Sequence, residues 1–317
     1  MAEILVQQKS SMMNVSIPEQ NVSLIYRDLY PIAVAKNVIV IILGLIINYI
    51  NGMLIHVFKK HQMFYATPRY ILFIHLVVND MIQLTSSITL YVSSYVFYQI
   101  NTSICGIILC FAIYTTLNSP VNLAVMAVEC YIAICFPLRH SEVFNVKTAY
   151  ILIAWIWVMS SIGIVPDLFL LIATEPREFF LTTMYCERNR FFRHPTSIKK
   201  REVLYIIYLV GVWITLFYTY IHIFIVAKAA KASSRDTKKA KNTILLHAFQ
   251  LLLCILTYVF HFIVSLIAYL FPRNFIHAMF VTYIFIQILP RLVSPIVYGL
   301  RDQMFRHRLK KHLFCAI

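Results

Sequence analysis

The chain has 317 residues, 60% of them hydrophobic and only 13% charged, with a mean hydropathy of +0.75 and a formal net charge of +15. A soluble domain keeps about a quarter of its residues charged, so the composition excludes an ordinary soluble fold and makes the bilayer the solvent. A soluble chain this basic would suggest nucleic acid, but in a membrane chain basic loops set orientation instead, and no nucleic-acid partner is expected.

Residues 1–30 are polar, carrying Glu3, Lys9, Glu19, Arg27 and Asp28, with no short apolar core of a cleavable signal. They read as an extracellular tail, and the first apolar segment is expected to act as its own insertion signal. Apolar runs of at least ~18 residues, enough to span a bilayer, follow seven times, at 31–58, 70–98, 105–135, 148–172, 203–227, 243–271 and 276–299. They are continuous and do not alternate with period two, which predicts helices and not barrel strands. No flexible linker divides them. The expectation is an all-α membrane protein: a seven-transmembrane helix bundle over 31–299, then a short amphipathic helix and tail over 300–317. In that last segment Leu300, Met304, Leu309 and Leu313 fall on one stripe and Arg306, Arg308, Lys310 and Lys311 elsewhere, as on a helix lying on a leaflet.

Orientation has two arguments. With the amino terminus outside, inner loops and tail gather most of the Lys and Arg, including Lys238, Lys239 and Lys241. The excess is modest because the second outer loop is itself basic. The acceptor patterns Asn14-Val15-Ser16, Asn21-Val22-Ser23 and Asn101-Thr102-Ser103 all fall outside in the same arrangement. Asn14 and Asn21, on the polar tail, are the better glycosylation candidates, since Asn101 sits close to the membrane. A multi-pass plasma-membrane protein with an outer amino terminus and a cytoplasmic carboxyl terminus follows.

Of seven cysteines, only Cys105 and Cys186 reach the outer face, where oxidation is possible. They are expected to pair, tying the second outer loop to the third span. Cys110, Cys135 and Cys254 read as small packing residues. Cys315, beyond a basic segment, fits either S-palmitoylation or an unmodified thiol.

Ionisable groups at membrane depth are costly and mark function. Asp80 lies mid-way along the second span and Arg291 well inside the seventh. An unpaired buried charge costs far more than a paired one, so the two are expected to meet, as a structural clamp or as a moving switch. Asn51, Ser119, Asn122 and Ser294 are candidates to complete a polar cluster. Pro120, Pro166, Pro290 and Pro295 are expected to interrupt helices. No metal-ligand spacing exists among the 11 His, and there is no phosphate loop, nucleophile elbow or close carboxylate pair. No enzyme activity or cofactor is expected.

The motifs, in order, resemble those of rhodopsin-like G protein-coupled receptors, specifically odorant receptors of the fish type. They are Asn51-Gly52, the run TPRYILFIHLVVND ending at Asp80, MAVECYIAICFPLRH from Met126 to His140, KKAKNTILLHAFQLLLC with Lys239 and His247, and SPIVYGLRD from Ser294. The resemblance covers residues 25 to 314. It implies a receptor for a small-molecule odorant that activates a stimulatory olfactory-type heterotrimeric G protein and signals through cAMP, the inner end of the sixth span moving to admit the G protein. It places the ligand pocket among Ile113, Thr116, Leu117, Leu204, Tyr208, Tyr258, Phe262, Ile284 and Gln287. These are mostly apolar with a few polar groups, as such pockets usually are, though each also fits helix packing. It places coupling and switching at Glu129, Cys130, Tyr131, Tyr220, Lys239, His247 and Tyr298. The basic Arg188, Arg190, Arg193, Lys199 and Lys200 either steer acidic odorants or form a solvated loop.

The chain departs from the family pattern twice. Glu129-Cys130-Tyr131 stands where the family has acid-Arg-Tyr, and Ser294 where it has Asn. Cys130 cannot make the charge-assisted hydrogen bonds of an Arg, which makes a weakly coupled receptor the alternative. Glu129 is then expected to protonate more readily or to pair with an inner-loop cation such as Arg139. A channel or transporter would need internal repeats, and none is found. An amine receptor would need an acid facing the pocket from the third span, and none stands there.

Overall fold

The computed structural model describes residues 30–229, 271 and 274–293, with single positions and pairs between 252 and 270. The expectations for Asn14, Asn21, Lys239, His247, Cys254, Tyr258, Phe262, Ser294, Tyr298, Cys315 and the segment 300–317 lie outside the described residues. Six helices among the described residues are long and apolar enough to cross a membrane: Tyr30–Lys60, Pro68–Val96, Thr102–Cys135, Val146–Thr174, Pro195–Val226 and Phe275–Val293. They occupy the places of the first to fifth and the seventh expected spans. The described positions between 252 and 270, in the place of the sixth, are helical as well.

Helix ends follow from local chemistry. Pro68 opens the second helix, where a missing N–H costs nothing. Asn101 caps the third by accepting from the Ser103 amide at 3.0 Å, and Asn145 caps the fourth by accepting from the Thr148 amide at 2.9 Å. The fifth helix starts at Pro195, about two turns before the apolar run begins. Lys199, Lys200 and Arg201 end the hydrophobic pattern but are good helix formers, so polarity and helix part company there. The third and fourth helices run through Pro120 and Pro166 without a break. The expected interruptions are absent there, although each proline removes one backbone hydrogen bond. Asn79 of the second helix donates to the Thr115 carbonyl at 2.8 Å, one turn before Pro120.

The third helix is the hub. It packs against the second, fourth and fifth and carries buried side chains along its whole length. A short helix, Pro137–Val143, follows it, with no buried residue of its own. At the opposite end, the loop before the fifth helix lies back over the third. Thr183–Met184 pairs antiparallel with Ile100–Asn101, with Ile100 opposite Met184. Cys105 and Cys186 are disulfide-bonded across 81 residues of sequence, their Cα atoms 5.6 Å apart. Phe191 and Phe192 from the same loop are buried against Cys105, Leu109 and Ile113.

That loop seats on a glycine. A Cβ built at Gly106 would lie 2.5 Å from Cζ of Phe191, and the ring is backed by Phe192 at 4.9 Å between centroids. Gly106→Ala is therefore expected to cost about 1–3 kcal/mol, read as a lower thermal midpoint and a looser disulfide loop in limited proteolysis. Gly52→Ala, inside the first helix where nothing lies within 4 Å, is the control expected to leave the loop unchanged and the midpoint no lower.

Candidate functional site

Mid-way through the bundle, polar side chains of four helices form one chain of hydrogen bonds. Ser160 of the fourth helix donates to Asn118 Oδ1 at 2.5 Å, and Asn118 Nδ2 donates to Asn79 Oδ1 at 3.3 Å. Asn79 Nδ2 donates to Ser119 Oγ at 2.8 Å. Ser119 Oγ lies 3.4 Å from both Asp80 Oδ1 and Arg291 Nη1. Arg291 Nη1 closes the chain on Asp80 Oδ1 at 2.7 Å, with the two side chains 5% and 1% exposed. The expected meeting of Asp80 and Arg291 is thus a direct contact, buried and charge-assisted. Gln83 Nε2 extends the polar layer by donating to Thr116 Oγ1 at 2.9 Å.

Of the other residues expected in this cluster, Asn122 is directed elsewhere, and Asn51 makes no hydrogen bond to its described members. Asn51 is fully buried, yet neither atom of its amide has a hydrogen-bond partner among the described residues. Asn122 faces the other way: its Nδ2 donates to the Leu72 carbonyl at 3.1 Å, and its Oδ1 lies 3.3 Å from His75 Nδ1. His75 Nε2 accepts from Trp157 at 3.0 Å, which places the proton on Nδ1 and fixes the neutral tautomer. Asn79, Asn118 and Ser160 complete the network instead. Asn79 is the neighbour of Asp80 in VVND; the other two carried no sequence signal beyond being polar within an apolar run.

At the disulfide end, Ile113, Leu117, Leu204 and Tyr208 come together in one apolar cluster of the third, fourth and fifth helices. Leu117 leans over Gly163 of the fourth helix, where an added Cβ would meet it at 2.7 Å. The Tyr208 hydroxyl donates to the Met159 carbonyl at 2.5 Å. These two side chains serve packing between helices. Thr116 and Ile284 are set apart, Thr116 towards Gln83 and Ile284 among Val40, Leu84 and Tyr283. Ile284 and Gln287 both fall in a π-helical turn, Ile284–Ile288, of the seventh helix. An open groove of about 470 Å³ at the start of the fifth helix is lined by Pro195, Thr196, Lys199, Lys200, Val203 and Leu204. It shares only Leu204 with the expected pocket.

Three cations of the basic loop, Arg190, Arg193 and Lys200, pair with acids. Arg193 grips Glu175 with both ends of its guanidinium, Nε at 2.7 Å, and that hydrogen bond raises the guanidinium's hold on its proton. Lys200 Nζ lies 2.6 Å from Asp167 Oδ1, which also accepts from Ser197 Oγ at 2.5 Å. The Lys200 contact is an ion pair without good hydrogen-bond alignment, since its Nζ has no aligned partner among the described residues. Arg188 donates to the Tyr205 hydroxyl, and Arg190 covers the Tyr185 ring and pairs with Glu187 at 3.6 Å. Burial, then the neighbouring Glu187 carboxylate, pushes the Tyr185 hydroxyl up. Lys199 is exposed and has no acid or ring partner among the described residues. Asp167 and Lys36, each 5% exposed inside a span, add to the buried charges that the sequence places at Asp80 and Arg291. Lys36 stands over the Phe280 ring at 5.3 Å.

At the other end, Glu129 is 2% exposed. Arg69 Nε donates to its Oε2 at 2.8 Å and Nη2 to its Oε1 at 3.3 Å, while His140 Nε2 lies 3.1 Å from Oε1. The expected partner Arg139 is exposed and is not that cation; helix geometry turns His140, one residue on, towards the carboxylate. Arg69, part of TPRY, had given no sign of this role. Cys130 is 3% exposed. Tyr131 packs edge-on against Phe136, Tyr218 and His222, and Tyr220 packs against Ala124, Ala127 and Leu216.

Comparison with known proteins agrees with this architecture. The family profile described as "7 transmembrane receptor (rhodopsin family)" matches residues 50–298. "Odorant receptor 131-2" of Danio rerio is 32% identical over 286 residues, covering 89% of this chain and 87% of that protein. "Olfactory receptor 52R1" of Homo sapiens is 23% identical over 268 residues, covering 82% and 83%. A family match over most of the chain, and a relative this similar across nearly its full length, place six membrane-length helices and a buried polar centre in one setting: the chain is a multi-pass membrane protein belonging to the rhodopsin family of seven-transmembrane receptors, within its odorant receptors of the fish type.

Proposed function

We propose that this receptor binds a small-molecule odorant at the disulfide end of the bundle and activates a stimulatory olfactory-type G protein at the Glu129 end, raising cAMP. The observation that carries the reading is the 32% identity to an odorant receptor across 89% of the chain. The disulfide end faces outward, since thiols oxidise there, and the end holding Lys59, Lys60, Arg139 and Lys147 faces the cytosol. The odorant lies under the tethered loop, touching Ile113, Thr116, Leu204, Ile284 and Gln287, with Tyr258 and Phe262 of the sixth span opposite. Leu117 and Tyr208 shape the pocket from behind. Because Arg188, Arg190, Arg193 and Lys200 have partners, Lys199 beside the open groove is the residue best placed to attract an acidic odorant.

The test is a cAMP assay in cells supplying that G protein, with amino acids, bile acids, amines and carboxylates as ligands. A saturable response to one class, moved about tenfold in half-maximal concentration by Gln287→Leu through loss of a hydrogen bond, is the expected result. Receptor at the cell surface that stays silent to every class, with any G protein supplied, would overturn the reading.

A further inference from the structure

The chain has removed the cation beside its third-helix acid without leaving that acid unpaired. Glu129 is buried and ionisable, and an isolated carboxylate there would be strongly disfavoured. Cys130, its neighbour, is buried and offers no charge. Both carboxylate oxygens are nevertheless occupied, Oε2 by Arg69 Nε and Oε1 by Arg69 Nη2 and His140 Nε2. Arg69 enters from the first turn of the second helix, and His140 from the short helix Pro137–Val143. The fork geometry is the bidentate one that only an arginine supplies.

We infer that Arg69 is a surrogate for the missing arginine, and that the Arg69–Glu129–His140 contact is a clasp that positions the helix Pro137–Val143 against the third helix. Among the described residues, little else holds that helix. It has no buried residue, and Leu138 on it is 93% exposed. Its flanking anchors among the described residues are Phe136, edge-on to Tyr131 at 5.8 Å, and Phe144, 4% exposed in the core with Phe64 and Phe73, its amide donating to the His140 carbonyl at 2.8 Å. Two independent elements therefore converge on one acid. Opening the pair frees the short helix while the bundle stays intact. The clasp is a positioning device, and its link to signalling rests on the coupling proposed above; the clasp itself does not.

The experiment is hydrogen exchange on the full-length receptor in nanodiscs, without ligand or G protein, so its outcome is independent of whether coupling occurs. Arg69→Gln is expected to speed exchange of the amides at 137–144 roughly tenfold, as local opening becomes easier, with amides of the third helix unchanged. Arg69→Lys is expected to fall between, since an ammonium cannot form the fork. Cys130→Arg restores a cation at the acid, so Cys130→Arg/Arg69→Gln is expected to return to within about twofold of the parent, the non-additivity of groups sharing one partner. His140→Leu, which has no donor for the acid, tests the other arm if Arg69→Gln does not fold, and is expected to speed the same amides a few-fold. Unchanged exchange at 137–144 in whichever single variant folds, or Cys130→Arg failing to rescue Arg69→Gln, would overturn the inference.

Discussion

Arg291→Met is expected to destabilise the receptor by about 3–5 kcal/mol, because it leaves the buried Asp80 carboxylate without its counter-ion. At about 2–4 °C per kcal/mol the thermal midpoint of the purified receptor in micelles should fall by roughly 10 °C. The reasoning is asymmetric. Forming the pair took two charges out of a good solvent, so the intact pair contributes little net stability; losing one partner exposes the whole desolvation penalty of the other. Asp80→Asn should therefore be destabilising too, by stranding the guanidinium 4% exposed in the seventh helix. Asp80→Asn/Arg291→Met, with no charge left to strand, should recover most of the loss. A double variant melting no higher than the worse single variant would show that the 2.7 Å contact is not what the two side chains depend on.

Cys186→Ser is expected to reduce receptor at the cell surface several-fold. The bridge closes 81 residues, for which chain entropy alone gives on the order of 4–5 kcal/mol. The loop keeps other ties after reduction: the Ile100–Met184 pairing, Thr102 Oγ1 donating to the Thr182 carbonyl at 3.0 Å, and Ser103 Oγ to the Phe180 carbonyl at 2.8 Å. Damage should thus concentrate in residues 177–192, visible as new protease cleavage there, and not in the spans. Cys105→Ser should match it. The double serine variant should be no worse than either single one, since one bond is lost in all three; an additive loss would mean the thiols act separately.

The bundle was legible because bilayer length and continuous apolarity are strong constraints, and each described helix brackets or nearly matches its expected run. The fifth helix shows the limit, since its first two turns are helical but not apolar, and hydropathy is blind to them. Charge economy was enough to bring Asp80 and Arg291 together, because a membrane chain has few ways to hide either. Which amides join them was not legible. Asn51, Asn79, Asn118 and Asn122 are equally polar, and only the rotation of each helix decides that Asn79 and Asn118 enter the network while Asn122 turns to Leu72 and His75. The same holds for Glu129. Sequence shows that Cys130 cannot serve it, but Arg69 is 60 positions away, and nothing short of packing the second helix on the third selects it over Arg139. Pocket residues were hardest, because an apolar side chain such as Leu117, packed over Gly163, fits a ligand site and a helix seam equally well by composition.

The π turn at Ile284–Ile288 has a consequence for how the seventh helix came to carry its charge. Such a turn holds one residue more than an α-helical turn, so everything after it is rotated by about one residue's share of a circle, near 100°. Arg291 lies three positions beyond. Without the surplus residue, the helix would turn a different side chain towards Asp80 and send the arginine towards a neighbour or the lipid. The pair at the centre of this receptor is thus set by a count as well as by a charge: a one-residue deletion in 284–288 would unseat the arginine while leaving every residue of the polar network in the sequence.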